Sequence, residues 1–90
     1  MNNTQRKQIE KLSAALNVLN SQLDDLRGEI ESLKDEEQEK YDNMAEGFQQ
    51  SEMGQRVENA AQELDYALDS VQEAYDAIES ALENLSNASE

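Results

Sequence analysis

The sequence predicts an all-α protein, an antiparallel two-helix coiled-coil hairpin. The 90-residue chain lacks Pro, Cys, His and Trp and is rich in Ala, Leu, Glu and Gln, which favour helices. Two runs of apolar residues recur at alternating spacings of three and four, a pattern typical of coiled coils. The two runs mirror each other about the middle of the chain, which indicates that the chain folds back on itself.

The first apolar run predicts helix 1 over about residues 4–44. It takes two positions in every seven, which makes a narrow stripe suited to one partner helix. Its members are Ile9, Leu12, Leu16, Leu19, Leu23, Leu26, Ile30 and Leu33.

The second apolar run predicts helix 2 over about residues 51–88, with Ser51 as its N-cap. Its members are Val57, Ala61, Leu64, Leu68, Val71, Tyr75, Ile78, Leu82 and Leu85. An alanine column lies one residue to the side of this run, at Ala60, Ala67, Ala74, Ala81 and Ala88. The apolar stripe of helix 2 is therefore wider than a single partner helix needs.

The turn is expected at about residues 45–50, because positions paired between the two runs, such as Ile9 with Leu85, sum to 94. Half of this sum falls on Gly47, and glycine readily takes the left-handed conformation that ends a helix. A register shifted by one heptad also matches apolar residues and stays open, although it moves the turn away from Gly47. The apolar end of the hairpin is expected to be closed by Tyr41, Met44, Phe48 and Met53.

The chain is expected to form a single domain over residues 1–90 and to dimerise into a four-helix bundle. Two helices alone make a poor core, and no disulfide is available to staple them. Small residues let helix backbones approach closely, which predicts a homodimer interface on the alanine column. Its residues are Ala60, Ala67, Ala74 and Ala81. In the alternative interpretation, alanine is only a good helix former on a flank.

The charge of the chain is strongly negative and unevenly spread. The net charge is −14, and no basic residue follows Arg56. Such a surface repels nucleic acid and anionic lipid and attracts basic proteins, so direct contact with nucleic acid or a membrane is not expected. No segment is apolar enough to span a bilayer, and we expect a protein of the host-cell cytoplasm.

The carboxylate pairs do not predict catalysis. Glu36 with Glu39 and Glu73 with Asp76 resemble the metal-binding pairs of helical nucleotide pyrophosphatases. In the predicted register, however, the two pairs lie more than about 20 Å apart along the helix axis. Without His or Cys there is also no metal site of the usual zinc type. The sequence thus predicts no enzyme, no catalytic residue, no metal site and no cofactor.

The acidic residues of helix 2 are the candidate binding residues for a protein partner. They are Asp65, Asp69, Glu73, Asp76 and Glu83, with Tyr66 at the centre. A dimer would carry about one net charge per 2 Å of its length, close to duplex DNA at about 1.7 Å. The partner would then be a protein that normally grips DNA. Acidic helices that serve only solubility are the alternative.

The turn segment DEEQEKYDNMAEGFQQSEMGQ, followed by alanine-rich acidic heptads, resembles a group of short acidic coiled-coil-hairpin proteins of bacteriophages and prophages. The resemblance covers about residues 30–85, with Ala45 where the group has Pro. It implies a phage origin and brings no assigned activity. Small acidic phage proteins often block a host protein, some by mimicking DNA, which favours an anti-defence role against a defence factor, nuclease or other DNA-binding protein. A self-assembling structural bundle is the alternative.

Overall fold

The computed structural model describes all residues, Met1–Glu90, as two long antiparallel helices joined through a one-turn helix. Helix α1 spans Asn3–Asp42, α2 spans Glu46–Gln49 and α3 spans Glu52–Ala88. The molecule is a rod of 68 × 15 × 13 Å without strands, and α1 packs along α3. The helical hairpin predicted from the sequence is therefore the observed architecture. Neither long helix has a stretch apolar enough to cross a membrane.

Both long helices begin with a side-chain cap. The Asn2 side chain accepts a hydrogen bond from the Gln5 backbone N–H at 2.8 Å, and the Gln5 side chain accepts one from the Asn2 N–H at 3.3 Å. At the start of α3, the Ser51 hydroxyl accepts from the Gly54 N–H at 3.1 Å. These bonds satisfy N–H groups that have no partner inside the helix. The predicted N-cap at Ser51 is confirmed.

The open end of the hairpin is tied by Arg6. The last turn of α3 contains no basic residue to balance the negative end of its helix dipole. Arg6 of α1 supplies that charge, since its Nε donates to the Ser89 carbonyl oxygen at 2.9 Å. The first turns of α1 thus stabilise the end of α3.

The turn does not use a left-handed glycine. No residue of the chain has a positive φ angle, so the prediction of a left-handed Gly47 was wrong. Helices α1 and α2 instead end at Asn43 and Gln50, which keep right-handed backbone angles near φ −85° and ψ −6°. The chain therefore reverses through the segments before and after α2, and neither segment uses a positive φ angle.

Gly54 is the glycine that the turn requires. A Cβ atom at this position would lie 2.3 Å from the Phe48 carbonyl oxygen and 2.5 Å from that of Gln49. Both oxygens belong to the backbone of α2, so they cannot move aside as a flexible side chain would. The missing side chain lets α2 lie directly on the first turn of α3.

The register of the hairpin is set by hydrogen bonds between the long helices. The Asn20 side-chain amide donates to the Tyr75 carbonyl oxygen at 3.3 Å. The numbers of these two residues sum to 95, as do those of Arg6 and Ser89, which are also hydrogen-bonded. The observed register lies within one residue of the predicted sum of 94, and the register shifted by one heptad is wrong.

The apolar run of α3 faces α1 as predicted. All nine members of the run, from Val57 to Leu85, are buried or half-buried. Ala61 and Gly54 are the most enclosed residues of this helix.

The apolar run of α1 faces α3 with only half of its members. Ile9, Leu16, Leu23 and Ile30 are buried or half-buried. The other four members keep 44 to 54% of their surface exposed: Leu12, Leu19, Leu26 and Leu33. The prediction that these four leucines face α3 was wrong. The residue after each leucine takes the place beside α3 instead: Ser13, Asn20, Arg27 and Lys34. Helix α1 is thus rotated by about 50° from the predicted orientation, given 3.5 residues per turn.

The turn end of the rod is only partly closed. Tyr41 and Met44 are half-buried, whereas Phe48 and Met53 are exposed. The expectation that all four side chains close this end was wrong for the latter two. Glycine at position 54 brings the backbone of α2 onto α3, and the Phe48 side chain then points to solvent.

We predict opposite effects of alanine at two helical glycines. Gly54→Ala should lower the free energy of unfolding by about 1–3 kcal/mol, because the new methyl group overlaps two backbone oxygens. Gly28→Ala should raise it by about 0.5–1 kcal/mol, because nothing lies within 4 Å of that position and alanine favours the helix. Urea unfolding followed by circular dichroism measures both. Equal effects of the two substitutions would contradict the close approach at Gly54.

Candidate protein-binding surfaces

One long side of the hairpin, here called the polar side, is bridged by polar residues. The Asn20 amide reaches the Tyr75 carbonyl, Arg27 donates to the Gln72 side chain, and Lys34 Nζ lies 3.7 Å from an Asp65 carboxylate oxygen. The three α1 residues recur every seven positions, so they lie in one line along the helix. The polar side therefore supplies its own hydrogen-bonding partners and leaves no apolar stripe uncovered.

Arg27 and Lys34 were not recognised from the sequence as residues of the helix interface. The guanidinium carbon of Arg27 lies 5.4 Å from the centroid of the Tyr75 ring, within the range of a cation–π contact. A signal was present, since these are the only basic residues between Lys11 and Lys40 and they are seven residues apart. Long basic side chains cover apolar surface with their methylene groups while the charge stays near water.

Asn20 is the one polar side chain buried between the helices, with 6% of its surface exposed. Its amide nitrogen is bonded to Tyr75, but its side-chain oxygen has no hydrogen-bonding partner. A buried polar residue in a coiled-coil seam costs stability and favours the one register that satisfies it. Asn20 therefore specifies the alignment of α1 with α3.

The opposite long side, here called the apolar side, combines residues of both helices. On α1 the leucine column of Leu12, Leu19, Leu26 and Leu33 borders the Ile9 column, away from Asn20. On α3 the alanine column of Ala60, Ala67, Ala74 and Ala81 borders the Leu64 column, away from Tyr75. In the observed register the Ile9 and Leu64 columns lie opposite each other, as Asn20 lies opposite Tyr75. The leucine and alanine columns therefore flank the same side of the hairpin.

The alanine column predicted as a dimer interface is accessible to a partner. Ala67 and Ala74 are exposed, and Ala60 and Ala81 are half-buried beside the seam. In the predicted seam the leucine column lay inside the hairpin and was not part of this surface. The leucine column adds four large side chains, each about half exposed, to the apolar side.

The candidate acidic residues form one continuous face on α3, here called the acidic face. Its members are all exposed: Asp65, Tyr66, Asp69, Glu73, Asp76 and Glu83. Asp69, Asp76 and Glu83 each follow a seam residue by one position, whereas the alanines precede a seam residue by one. The acidic and alanine columns therefore lie on opposite flanks of the α3 seam. The acidic face runs from the polar side to the outward surface of α3.

The acidic face is almost free of cationic partners within the chain. Asp65 is its one member in an ion pair, with Lys34 at 3.7 Å. The other ion pairs involve residues outside this face, such as Lys40 with Glu37 and Arg56 with Glu52. Asp76 accepts a hydrogen bond from the neutral Gln72 side chain at 3.0 Å. Four carboxylates of the face therefore keep an uncompensated negative charge.

Carboxylates raise the pKa of three groups beside the seam. Hydrogen bonding to Glu58 raises the pKa of Tyr41, and the charge of Glu79 raises the pKa of Tyr75. The hydrogen bond and charge of Glu37 raise the pKa of Lys40. All three shifts stabilise the protonated form of the group, as expected where carboxylates outnumber cations.

The carboxylate pairs considered for metal binding do not converge. No group of three or more carboxylates in the structure is close enough to hold a metal ion. Glu36 and Glu39 lie near the turn end of α1, whereas Glu73 and Asp76 lie beyond the middle of α3. The carboxylates are thus distributed singly along the rod.

Comparison with known protein families, characterised proteins and solved structures finds no match to this chain.

We predict that the hairpin loses stability at high pH through Tyr41 and Tyr75. Their pKa values in the folded state lie above the ordinary value of 10.0, so their contribution is complete below pH 10 and is lost as the pH rises through the raised values. The temperature at the midpoint of thermal unfolding should decrease as the pH is raised beyond 10. The decrease should be less steep in the Tyr41→Phe/Tyr75→Phe variant. Tyr66→Phe, outside the seam, is the matched control. Identical pH profiles for the double variant and the wild type would contradict the assignment.

Proposed function

We propose that the protein is a non-enzymatic binding protein that engages a basic host protein through its acidic face. The observation that carries this proposal is the concentration of exposed, unpaired carboxylates on one flank of α3, with no basic residue after Arg56. Like charges held together repel one another and reduce stability. A basic partner would remove that repulsion on binding, which makes the partner's charge the main determinant of recognition.

The proposed active form is a homodimer, and its charge density supports mimicry of DNA. Two copies side by side would carry a net charge of −28 over the 68 Å rod, or about one charge per 2.4 Å. Duplex DNA carries one per about 1.7 Å. The proposed partner is accordingly a nuclease, a defence factor or another protein that binds DNA, and the proposed effect is inhibition. The phage resemblance of the turn segment supports this anti-defence role in the host cytoplasm.

A second candidate function is a self-assembling spacer or scaffold that docks through its turn end. The observation that favours it is the exposure of two large apolar side chains beside the turn, Phe48 and Met53. Exposed apolar groups on a small rod mark a contact surface. In this alternative, the Phe48→Ser/Met53→Ser variant would lose the partner, and neutralising the acidic face would not.

The proposal predicts binding that depends on salt and on the acidic face. The probe is a panel of purified bacterial nucleases and DNA-binding proteins, titrated with the wild type at 50 and 300 mM NaCl. Removing four charges with Asp69→Asn, Glu73→Gln, Asp76→Asn and Glu83→Gln should weaken binding at least about tenfold, and so should the higher salt, because screening shortens the range of these charges. Bound DNA should be displaced by the wild type.

The matched control removes four exposed charges from α1 away from the leucine column, with Glu10→Gln, Asp25→Asn, Glu31→Gln and Glu39→Gln. Its net charge equals that of the acidic-face variant, so general attraction between charged molecules is the same. The control should bind like the wild type. Equal loss in both variants, or an affinity indifferent to salt, would contradict recognition by the acidic face.

A further inference from the structure

The apolar side of the hairpin has no partner within the chain. We propose that a second copy covers it, with the leucine column of each copy seated on the alanine column of the other around a twofold axis parallel to the rod. This inference rests on the homodimer of the proposed function and is independent of which host protein the acidic face binds. It assigns the leucines of α1, together with the alanines of α3, as the dimer interface.

The direction of the apolar residues on α1 fits a four-helix bundle better than an isolated hairpin. At 3.5 residues per turn, the Ile9 and Leu12 columns have a mean direction about 50° away from the line that joins α1 to α3. In a square four-helix bundle, the bundle axis lies about 45° from the line joining two neighbours. The apolar residues of α1 therefore point to where the centre of such a bundle would be.

The surface area of the hairpin also indicates a missing partner. The accessible surface is 6602 Å², whereas a compact monomer of this mass exposes about 5,300 Å². The excess of about 1,300 Å² exceeds the roughly 800 Å² per partner that a standard stable interface buries. A second copy on the apolar side would use this excess, since the leucine column is about half exposed.

The charge distribution selects a second copy as the occupant. Two chains of −14 repel each other wherever their carboxylates meet. The leucine and alanine columns contain no charged residue, and Glu29 is the carboxylate that borders Leu26 and Leu33, so the apolar side is where two copies meet the least repulsion. The acidic face lies on the other flank of the α3 seam and stays outside such a dimer.

With a twofold axis parallel to the rod, the leucines of one copy lie at the same positions along the rod as the alanines of the other copy. Each leucine can be paired with the alanine whose residue number brings the sum to 93, which is within two of the sum of 95 for Asn20 and Tyr75. The pairs are Leu12 with Ala81, Leu19 with Ala74, Leu26 with Ala67 and Leu33 with Ala60. An axis parallel to the rod therefore sets Leu19 against Ala74 of the partner subunit without any sliding. Large residues then meet small ones at every level, which favours close packing. An axis across the rod would set leucine on leucine and alanine on alanine.

The first test compares two double variants by analytical ultracentrifugation. Leu19→Gln/Leu26→Gln should weaken dimerisation about 100- to 1,000-fold, because each leucine loses the burial that the second copy provides. Val18→Gln/Tyr66→Gln also replaces two exposed apolar residues but lies outside the apolar side, and it should remain a dimer. The wild-type melting temperature should rise with protein concentration.

Leu19 and Leu26 are each also about half covered within the hairpin, so circular dichroism first checks that the variant keeps its helicity. If helicity is lost, Ala67→Gln/Ala74→Gln, at two exposed alanines of the same surface, replaces this variant and should weaken dimerisation. A stable dimer with unchanged affinity in the variant that keeps its helicity would overturn the proposal. Partner binding by the acidic face is measured separately, so a failed dimer and a failed host interaction are distinguishable.

The second test determines the direction of the axis. The chain has no Cys, so a single spin label at Gln50→Cys marks the turn end. The parallel axis puts both labels at one end of the rod, with a distance below about 40 Å in electron paramagnetic resonance, given helix spacings of about 10 Å. A distance near the rod length of 68 Å would overturn the leucine-on-alanine arrangement.

Discussion

The rotation of α1 about its own axis decides which of its side chains face α3, and the rest of the structure depends on that choice. The α1 sequence offers one apolar column that is always inside, beginning at Ile9, and two columns that compete to lie beside it. One is the leucine column, and the other carries Ser13, Asn20, Arg27 and Lys34. In the structure the second column lies beside α3, and the contacts of Asn20, Arg27 and Lys34 with α3 stabilise this rotation. A polar seam inside the hairpin thereby releases the leucines for another contact.

This choice divides the surface of the rod into three chemically distinct regions. The polar side joins the two helices through hydrogen bonds and one ion pair and sets their register. The acidic face, on one flank of α3, carries four carboxylates that no cation of the chain neutralises, whereas its fifth, Asp65, is paired with Lys34. The apolar side, on the other flank, carries no charge at all between its two columns. Because the acidic face and the apolar side share no residue, self-association and recognition of a basic protein would not compete for the same residues.

Sequence patterns predicted α3 better than α1, and the reason is physical. The α3 run has a single way to bury its large residues, from Val57 to Leu85, and the mirrored spacing gives the register to within one residue. The α1 run fits two rotations about 50° apart, and only contacts made by Arg27 and Asn20 across the hairpin separate them. The conformation of the turn was not predicted, because the close approach at Gly54 depends on tertiary packing of α2 that local preferences do not encode. The residues of the acidic face are exposed, as expected for charged residues that lie off the seam.

Small-angle X-ray scattering of the unmodified protein measures its mass and its length together. A chain that folds back at α2, with its apolar side covered by a second copy, should give a particle with the mass of two chains and a maximum dimension close to the 68 Å length of the hairpin. The mass of a single chain would contradict the covered apolar side. A particle of about 135 Å, the length of 90 residues in one continuous helix, would contradict the hairpin itself.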